Sequence, residues 1–224
     1  SLDKIGHKVQ IFYPAYGKKF VENLRNSSVY HNVAEIEEVP FSKAGTIFSN
    51  ASFEIKTQKL DHSVESWGYR IEERDGFSMS PEKLKESGVF GKNVGKLKAE
   101  GAIEVDGKLI KREDCGEFKK GQSFAFIMDT RICESAFELA KNVDLLVCES
   151  TYLSTETAEA ESNAHLTAHQ AAEIAAKSNV NLLVLTHFSQ RYKTIENFET
   201  EAREIHSNSV AVKDGDSVEC PKSS

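Results

Sequence analysis

Three polar side chains stand directly behind apolar runs: Asp129 after SFAFIM, Glu149 after DLLVC, and His187, with Thr186, after NLLVL. In α/β architectures ligands and metals are held at the carboxyl ends of strands, because loops converge there over a rigid sheet. His165 precedes a helical pattern whose start shares the same rim, and His62 follows an alternating run in LDHS. Two carboxylates and three imidazoles are thus at hand. Imidazole nitrogen and carboxylate oxygen suit zinc or a similar borderline divalent ion, and a bridging aspartate can bind two such ions. His169 lies four residues beyond His165, a spacing that places both on one helical face. Its context, H-L-T-A-H, lacks the glutamate of H-E-x-x-H, so His169 is assigned to structure or solvent. His7, His31 and His206 have polar neighbours and read as surface histidines. G-x-S-x-G, G-x-G-x-x-G and Walker patterns are absent, which counts against a serine elbow, dinucleotide binding and P-loop phosphoryl transfer. Metal-assisted hydrolysis is what remains.

The elements that must position these groups follow from periodicity. The final third reads strand 123–128, helix 134–140, strand 144–148, helix 167–177, strand 181–185, helix 195–206 and strand 209–212, a β-α alternation that predicts parallel strands. Earlier, Val9 to Tyr13 reads as a strand, followed by a helix with Phe20, Val21 and Leu24 on one face. Short alternating runs at 35–39, 46–48, 52–60 and 66–72 read as successive strands of an antiparallel sheet. Trp67, Tyr69 and Arg70 are expected to pack a strand there. From Arg74 to Gly101 glycines recur and apolar residues thin out, an excursion from the body with one helix start at Ser80-Pro81-Glu82. A hairpin over 102–111 follows, turning at Asp106-Gly107.

Composition bounds the rest. The 224 residues carry 28 Lys and Arg against 35 Asp and Glu, a formal net charge of −7, with 39% hydrophobic residues. This is an ordinary globular balance, and it excludes collagen, low-complexity disorder and a small disulfide scaffold. The apolar runs are too short for a bilayer-crossing helix, and the first residues lack the apolar core of a signal peptide, so a soluble cytoplasmic protein is expected. Cys115, Cys133, Cys148 and Cys220 form no C-x-x-C pair and read as reduced thiols. Against the acidic whole, residues 83–98 hold five lysines and one glutamate, a local net of +4 that suits a polyanionic partner.

Taken together, LDHSVESWGYRIEE, GVFGKNVGKLKAEG, MDTR, DLLVCESTY, HLTAHQAAEIA and LVLTHFSQRY resemble ribonuclease Z, the tRNA 3′-processing endonuclease family of the metallo-β-lactamase superfamily. The resemblance runs from about Ser52 to about Val212. It implies a metallo-β-lactamase-like αββα sandwich, incomplete at its N-terminus, spanning 1–224, with a protruding exosite arm at 74–101. It implies two zinc ions, with His62, Asp129 and His187 as ligands and Asp129 bridging. Glu149 and His165 resemble the family's non-ligand pair beside the scissile phosphate. Lys83, Lys85, Lys92, Lys96 and Lys98 fall in the arm that grips precursor tRNA. A homodimer is implied as well.

This sequence departs from the family pattern at several points. The signature H-x-H-x-D-H is not in the chain, so the stretch is expected to hold zinc weakly and to be inactive alone. Met128, Ile132, Cys148, Leu166 and Lys92 replace the usual residues of their motifs. Two other readings are a different phosphodiesterase of the superfamily and a non-catalytic tRNA-binding or dimer-partner protein.

Overall fold

The computed structural model describes residues 8–29 and 34–222, so the expectations for His7 and His31 lie outside the described residues. In chain order the elements are β1 (Val9–Pro14), α1 (Lys18–Arg25), β2 (Ile36–Phe41), β3 (Gly45–Ser49), β4 (Phe53–Lys59), β5 (Trp67–Glu73) and β6 (Gly76–Met79). Then come α2 (Pro81–Glu86), α3 (Lys92–Glu100), β7 (Ala102–Val105), β8 (Lys108–Lys111), α4 (Arg112–Cys115) and β9 (Gly116–Lys119). The chain continues with β10 (Ser123–Ile127), α5 (Glu134–Ala140), β11 (Leu145–Glu149), α6 (Thr157–Asn163), α7 (Ala168–Lys177), β12 (Leu182–Thr186), α8 (Glu196–Arg203) and β13 (Ser209–Ala211). No helix among the described residues is long and apolar enough to cross a membrane. The four cysteines are free.

Two compact units divide these elements: one takes the chain up to Glu72 and from Ser123 to Pro221, the other Glu73–Gln122. The first is built on a seven-stranded sheet in the order β13-β12-β11-β10-β5-β4-β3. β10 to β13 run parallel, as the β-α alternation predicts, and β10 meets β5 antiparallel. Side chains alternate across each strand. Ala125, Ile127, Leu146, Cys148, Leu183 and Leu185 point one way and are completely buried with Leu139, Ile174 and Phe198 from α5, α7 and α8. On the other face Phe124, Phe126, Leu145, Val147 and Val184 line a cleft of about 1000 Å³ that reaches Thr186 and His187 at the strand ends.

The antiparallel expectation fails at β2, which pairs parallel with β1 in a ribbon of its own, Val9 opposite Ile36 and Pro14 opposite Phe41. The reason lies in the connection: α1 between the two strands is a crossover, and a crossover returns the chain in the same direction. The helix expected after β1 forms, but Phe20 and Leu24 on its apolar face stay largely exposed. His206 is no surface histidine. It is half-buried, with Nδ1 3.1 Å from Ser209 Oγ and Nε2 2.8 Å from the Val180 carbonyl.

The second unit has its own small core of Leu84, Val89, Leu97 and Cys115, flanked by Met79, Val94, Ile103, Val105 and Ile110. α2 starts where Ser80 accepts from the Lys83 N–H, and Pro81 occupies the first position. The β7–β8 hairpin turns at Asp106 and Gly107, both at positive φ. Two further features went unread in the sequence: helix α3, because Gly91 and Gly95 mask it, and the β6–β9 ribbon, whose partners lie about 40 residues apart.

Phe198 is completely buried, its ring 4.6 Å from Phe188 and 4.8 Å from Tyr192, so it ties α8 to the loop that follows His187. Replacing it with Ala is expected to lower the unfolding free energy by about 3–5 kcal/mol, read from denaturant melts.

Candidate metal centre

Asp129, Glu149 and His187 do meet at one rim, because β10, β11 and β12 are adjacent and end in register: Ile127 lies opposite Cys148 and Glu149 opposite Thr186. The residues just past β10 and β12 turn out of the extended conformation. Asp129 has φ 51° and His187 φ 61°, left-handed positions that cost a non-glycine residue about 1–2 kcal/mol and swing both side chains into the same space. Asp129 Oδ1 is then 3.3 Å from His187 Nε2 and 4.0 Å from His165 Nδ1. The His165 ring centroid lies 5.2 Å from that of His62 and 5.3 Å from that of His187. Ligand-capable atoms of His62, Asp129 and His165 fall within 4.8 Å of one another, as do those of Glu149, His165 and His187.

Glu149 is the pivot of this arrangement. It has no solvent exposure, and its two oxygens accept from Thr130 N–H at 2.6 Å, Thr151 O–H at 2.7 Å and Leu166 N–H at 3.1 Å. His165 Nδ1 adds contacts of 3.0 and 3.1 Å. A carboxylate accepts only, so His165 donates through Nδ1 and its Nε2 is left for other partners. That hydrogen bond raises the His165 pKa above the ordinary histidine value, against the opposing pull of burial; the charges of Glu149 and Asp129 act in the same upward direction.

The same logic fixes His187. The Thr151 hydroxyl has one proton and gives it to Glu149, so its lone pair must accept from His187 Nδ1, 2.9 Å away. With Nδ1 engaged by Thr151, the Nε2 of His187 faces the Asp129 carboxylate at 3.3 Å. The donor set of oxygen and imidazole nitrogen fits a borderline divalent ion.

His62 is brought in from the β4–β5 turn by a clasp on the Asp129 loop. Arg131 N–H donates to the Asp61 carbonyl at 2.7 Å and Asp61 N–H to Thr130 Oγ1 at 3.1 Å. The Arg131 guanidinium adds Asp61 Oδ1 at 3.3 Å and the Glu161 carbonyl at 2.9 Å. Sequence reasoning missed Thr130, Arg131 and Thr151. The available signal was proximity to the strand ends, with Thr151 two residues beyond Glu149. His169 is exposed, and its backbone N–H binds Glu201, in keeping with a structural reading. The five lysines, 83, 85, 92, 96 and 98, all lie in the second unit, on α2 and α3, and are exposed.

The chain is 40% identical over 214 residues to the ribonuclease Z of Protochlamydia amoebophila, covering 96% of this chain and 70% of that protein. Among solved structures, human tRNase Z, short form, aligns with a TM-score of 0.62 at 15% identity over 97% of this chain and 68% of that one. The metallo-β-lactamase fold protein YhfI of Bacillus subtilis aligns with a TM-score of 0.58 at 17% identity over 92% of this chain and 63% of that one. These likenesses show the metallo-β-lactamase fold. No protein-family model matches the chain.

The hydrogen-bond relay makes a prediction that needs no metal. In the metal-free, ¹⁵N-histidine-labelled chain His187 is expected to carry its proton on Nδ1. Thr151→Val, which removes the acceptor, is expected to move that proton to Nε2, where Asp129 accepts it. Unchanged ring ¹⁵N shifts in the variant would contradict the relay.

Proposed function

Because the chain belongs to the ribonuclease Z family, we propose that it carries the reaction rim of an endonuclease that removes 3′ trailers from precursor tRNA. The products are a 3′-hydroxyl on the tRNA and a 5′-phosphate on the trailer. The observation that carries the reading is the buried Glu149 hub, which sets two imidazoles at one carboxylate on adjacent strand ends. Such a rim suits metal-assisted phosphodiester hydrolysis and no nucleophilic side chain. We assign zinc as the ion, which His62, Asp129 and His187 would hold. When bound, zinc supplies Lewis-acid charge to the phosphodiester and lowers the pKa of a water.

The chain's own residues do the remaining work. Glu149 touches no substrate; it is a positioning residue that holds the Nδ1–H of His165 and, through Thr151, that of His187. His165, with its raised pKa, is the catalytic acid: Nε2–H binds a phosphate oxygen and delivers its proton to the leaving 3′-oxygen. Three ligands are few for two ions, since each tetrahedral site takes three or four. The 224-residue chain alone is accordingly assigned partial zinc occupancy and no turnover. The reading includes a homodimer and a cytoplasmic setting.

The arm belongs to the same reading. The second unit as a whole is nearly neutral, eleven basic residues against ten acidic ones, but 83–98 concentrates five lysines. None of their ammonium groups pairs with a carboxylate among the described residues. Unpaired, exposed lysines suit phosphate contacts, which read shape and charge rather than sequence. This favours tRNA over the small esters of other superfamily phosphodiesterases.

Two measurements test the assignment. In active enzyme containing this chain, His165→Ala is expected to lower precursor-tRNA turnover about 10²–10⁴-fold with zinc content near wild type. Loss of zinc as complete as in Asp129→Ala would make His165 a ligand and overturn its role as acid. Replacing the five lysines with Ala is expected to weaken tRNA binding and flatten its salt dependence by about 0.7–0.9 in log–log slope per lost contact. Hydrolysis of bis(p-nitrophenyl) phosphate is expected to stay near wild type.

A further inference from the structure

Between α2 and α3 the backbone is held with unusual care around one exposed aromatic ring. α2 ends in a paired cap: Gly88 N–H donates to the Lys85 carbonyl at 3.2 Å and Val89 N–H to the Leu84 carbonyl at 2.9 Å, with Gly88 at φ 69°. This is the geometry of a glycine-terminated helix whose flanking residues share a contact, and Val89 and Leu84 both lie in the unit's small core. On the far side the Phe90 carbonyl accepts from Asn93 N–H at 3.1 Å, and the Gly91 carbonyl from Val94 N–H at 3.2 Å. Gly91 sits at φ 55°, ψ −130°, a region that side chains avoid. Phe90 is thus fixed at its backbone from both ends.

Its side chain nonetheless points outward. Val89 is 1% exposed and Phe90 61%. Phe90 takes no part in the core of the unit. Lys92 stands two residues on, at the first position of α3, Lys96 one turn beyond it, and Lys85 in the last turn of α2. A preset, solvent-facing ring in the short connection between two helices that carry unpaired lysines has the chemistry of a single-stranded nucleic-acid platform. The cations meet phosphate and the ring face meets a base.

We propose that Phe90 is a stacking platform for an unpaired base of the bound RNA, with Lys85, Lys92 and Lys96 neutralising the phosphates beside it. The proposal rests on the tRNA reading above and adds to it a residue that contributes affinity without charge. Stacking is insensitive to counterion release, whereas each lysine contact is not, so salt separates the two kinds of contact.

The experiment is a precursor-tRNA titration by fluorescence anisotropy over a salt series, with wild type, Phe90→Ala, Phe90→Leu, Phe90→Trp and Lys92→Ala. Thermal melts confirm folding, which an exposed side chain is not expected to alter. Phe90→Ala is expected to weaken binding on the order of tenfold at every salt concentration, leaving the slope unchanged. Phe90→Leu is expected to be equally weak, and Phe90→Trp to bind like wild type with its added fluorescence quenched by RNA beyond that of Trp67. Lys92→Ala is expected to flatten the slope instead. Wild-type affinity in Phe90→Ala, or full recovery in Phe90→Leu, would overturn stacking while leaving the tRNA reading intact. Wild type binding precursor tRNA no better than an unrelated duplex RNA would overturn both.

Discussion

A buried carboxylate is the constraint around which the body of this protein is arranged. Taking an ionised carboxyl out of water costs several kcal/mol unless its lone pairs are met, and Glu149 is wholly inside. The donors that meet it come from separate parts of the chain: Thr130 beyond β10, Thr151 beyond β11, and His165 with Leu166 ahead of α7. Each donor is a structural condition. If any of these segments moves, a buried charge loses a partner, so the hub acts as a lock on the rim as well as a guide for the imidazoles. The same bonds that make the charge tolerable decide which nitrogen of His165 and His187 faces outward.

Precision at the rim is inherited from the sheet. Parallel strands β10, β11 and β12 end together, and the residues that matter sit one or two positions past the last ladder pair, on backbone still anchored below. The left-handed turns at Asp129 and His187 are affordable there because the packed face beneath is dense, with Leu146, Leu183 and Leu185 fully covered by helices. His62 has no such strand end beside it and depends on the Arg131 and Thr130 clasp instead. The site is therefore a rigid half set on the sheet and a second half tied on by hydrogen bonds.

The second unit follows a different rule. Its core is four buried side chains, two of them leucines, and the rest of its apolar content is partly open. So small a core supports short helices and hairpins, not a deep pocket, which suits a surface whose work is contact. Its charge is local, and its exposed ring is held by backbone bonds.

Much of this was legible in the chain alone. The β-α alternation after residue 123 named the strands of the parallel half and helices α5, α7 and α8 within one to three residues, because buried strands there are short apolar runs with helical periods between them, while the short helix α6 went unread. The same reading put Asp129, Glu149, His165 and His187 at one rim, since strand ends must converge. Ser80-Pro81 and Asp106-Gly107 announced a helix start and a turn by local chemistry. What the sequence could not show was pairing across distance. The parallel β1–β2 ribbon, the β6–β9 ribbon and the clasp from Asp61 to Arg131 join residues whose types carry no mark of their partners. Nor could strand-end position alone show that Glu149 is closed off from solvent. A carboxylate at a strand end reads the same whether it is exposed or buried behind two histidines, and only the tertiary structure, by bringing Thr130, Thr151, His165 and Leu166 to it as donors, decided its burial.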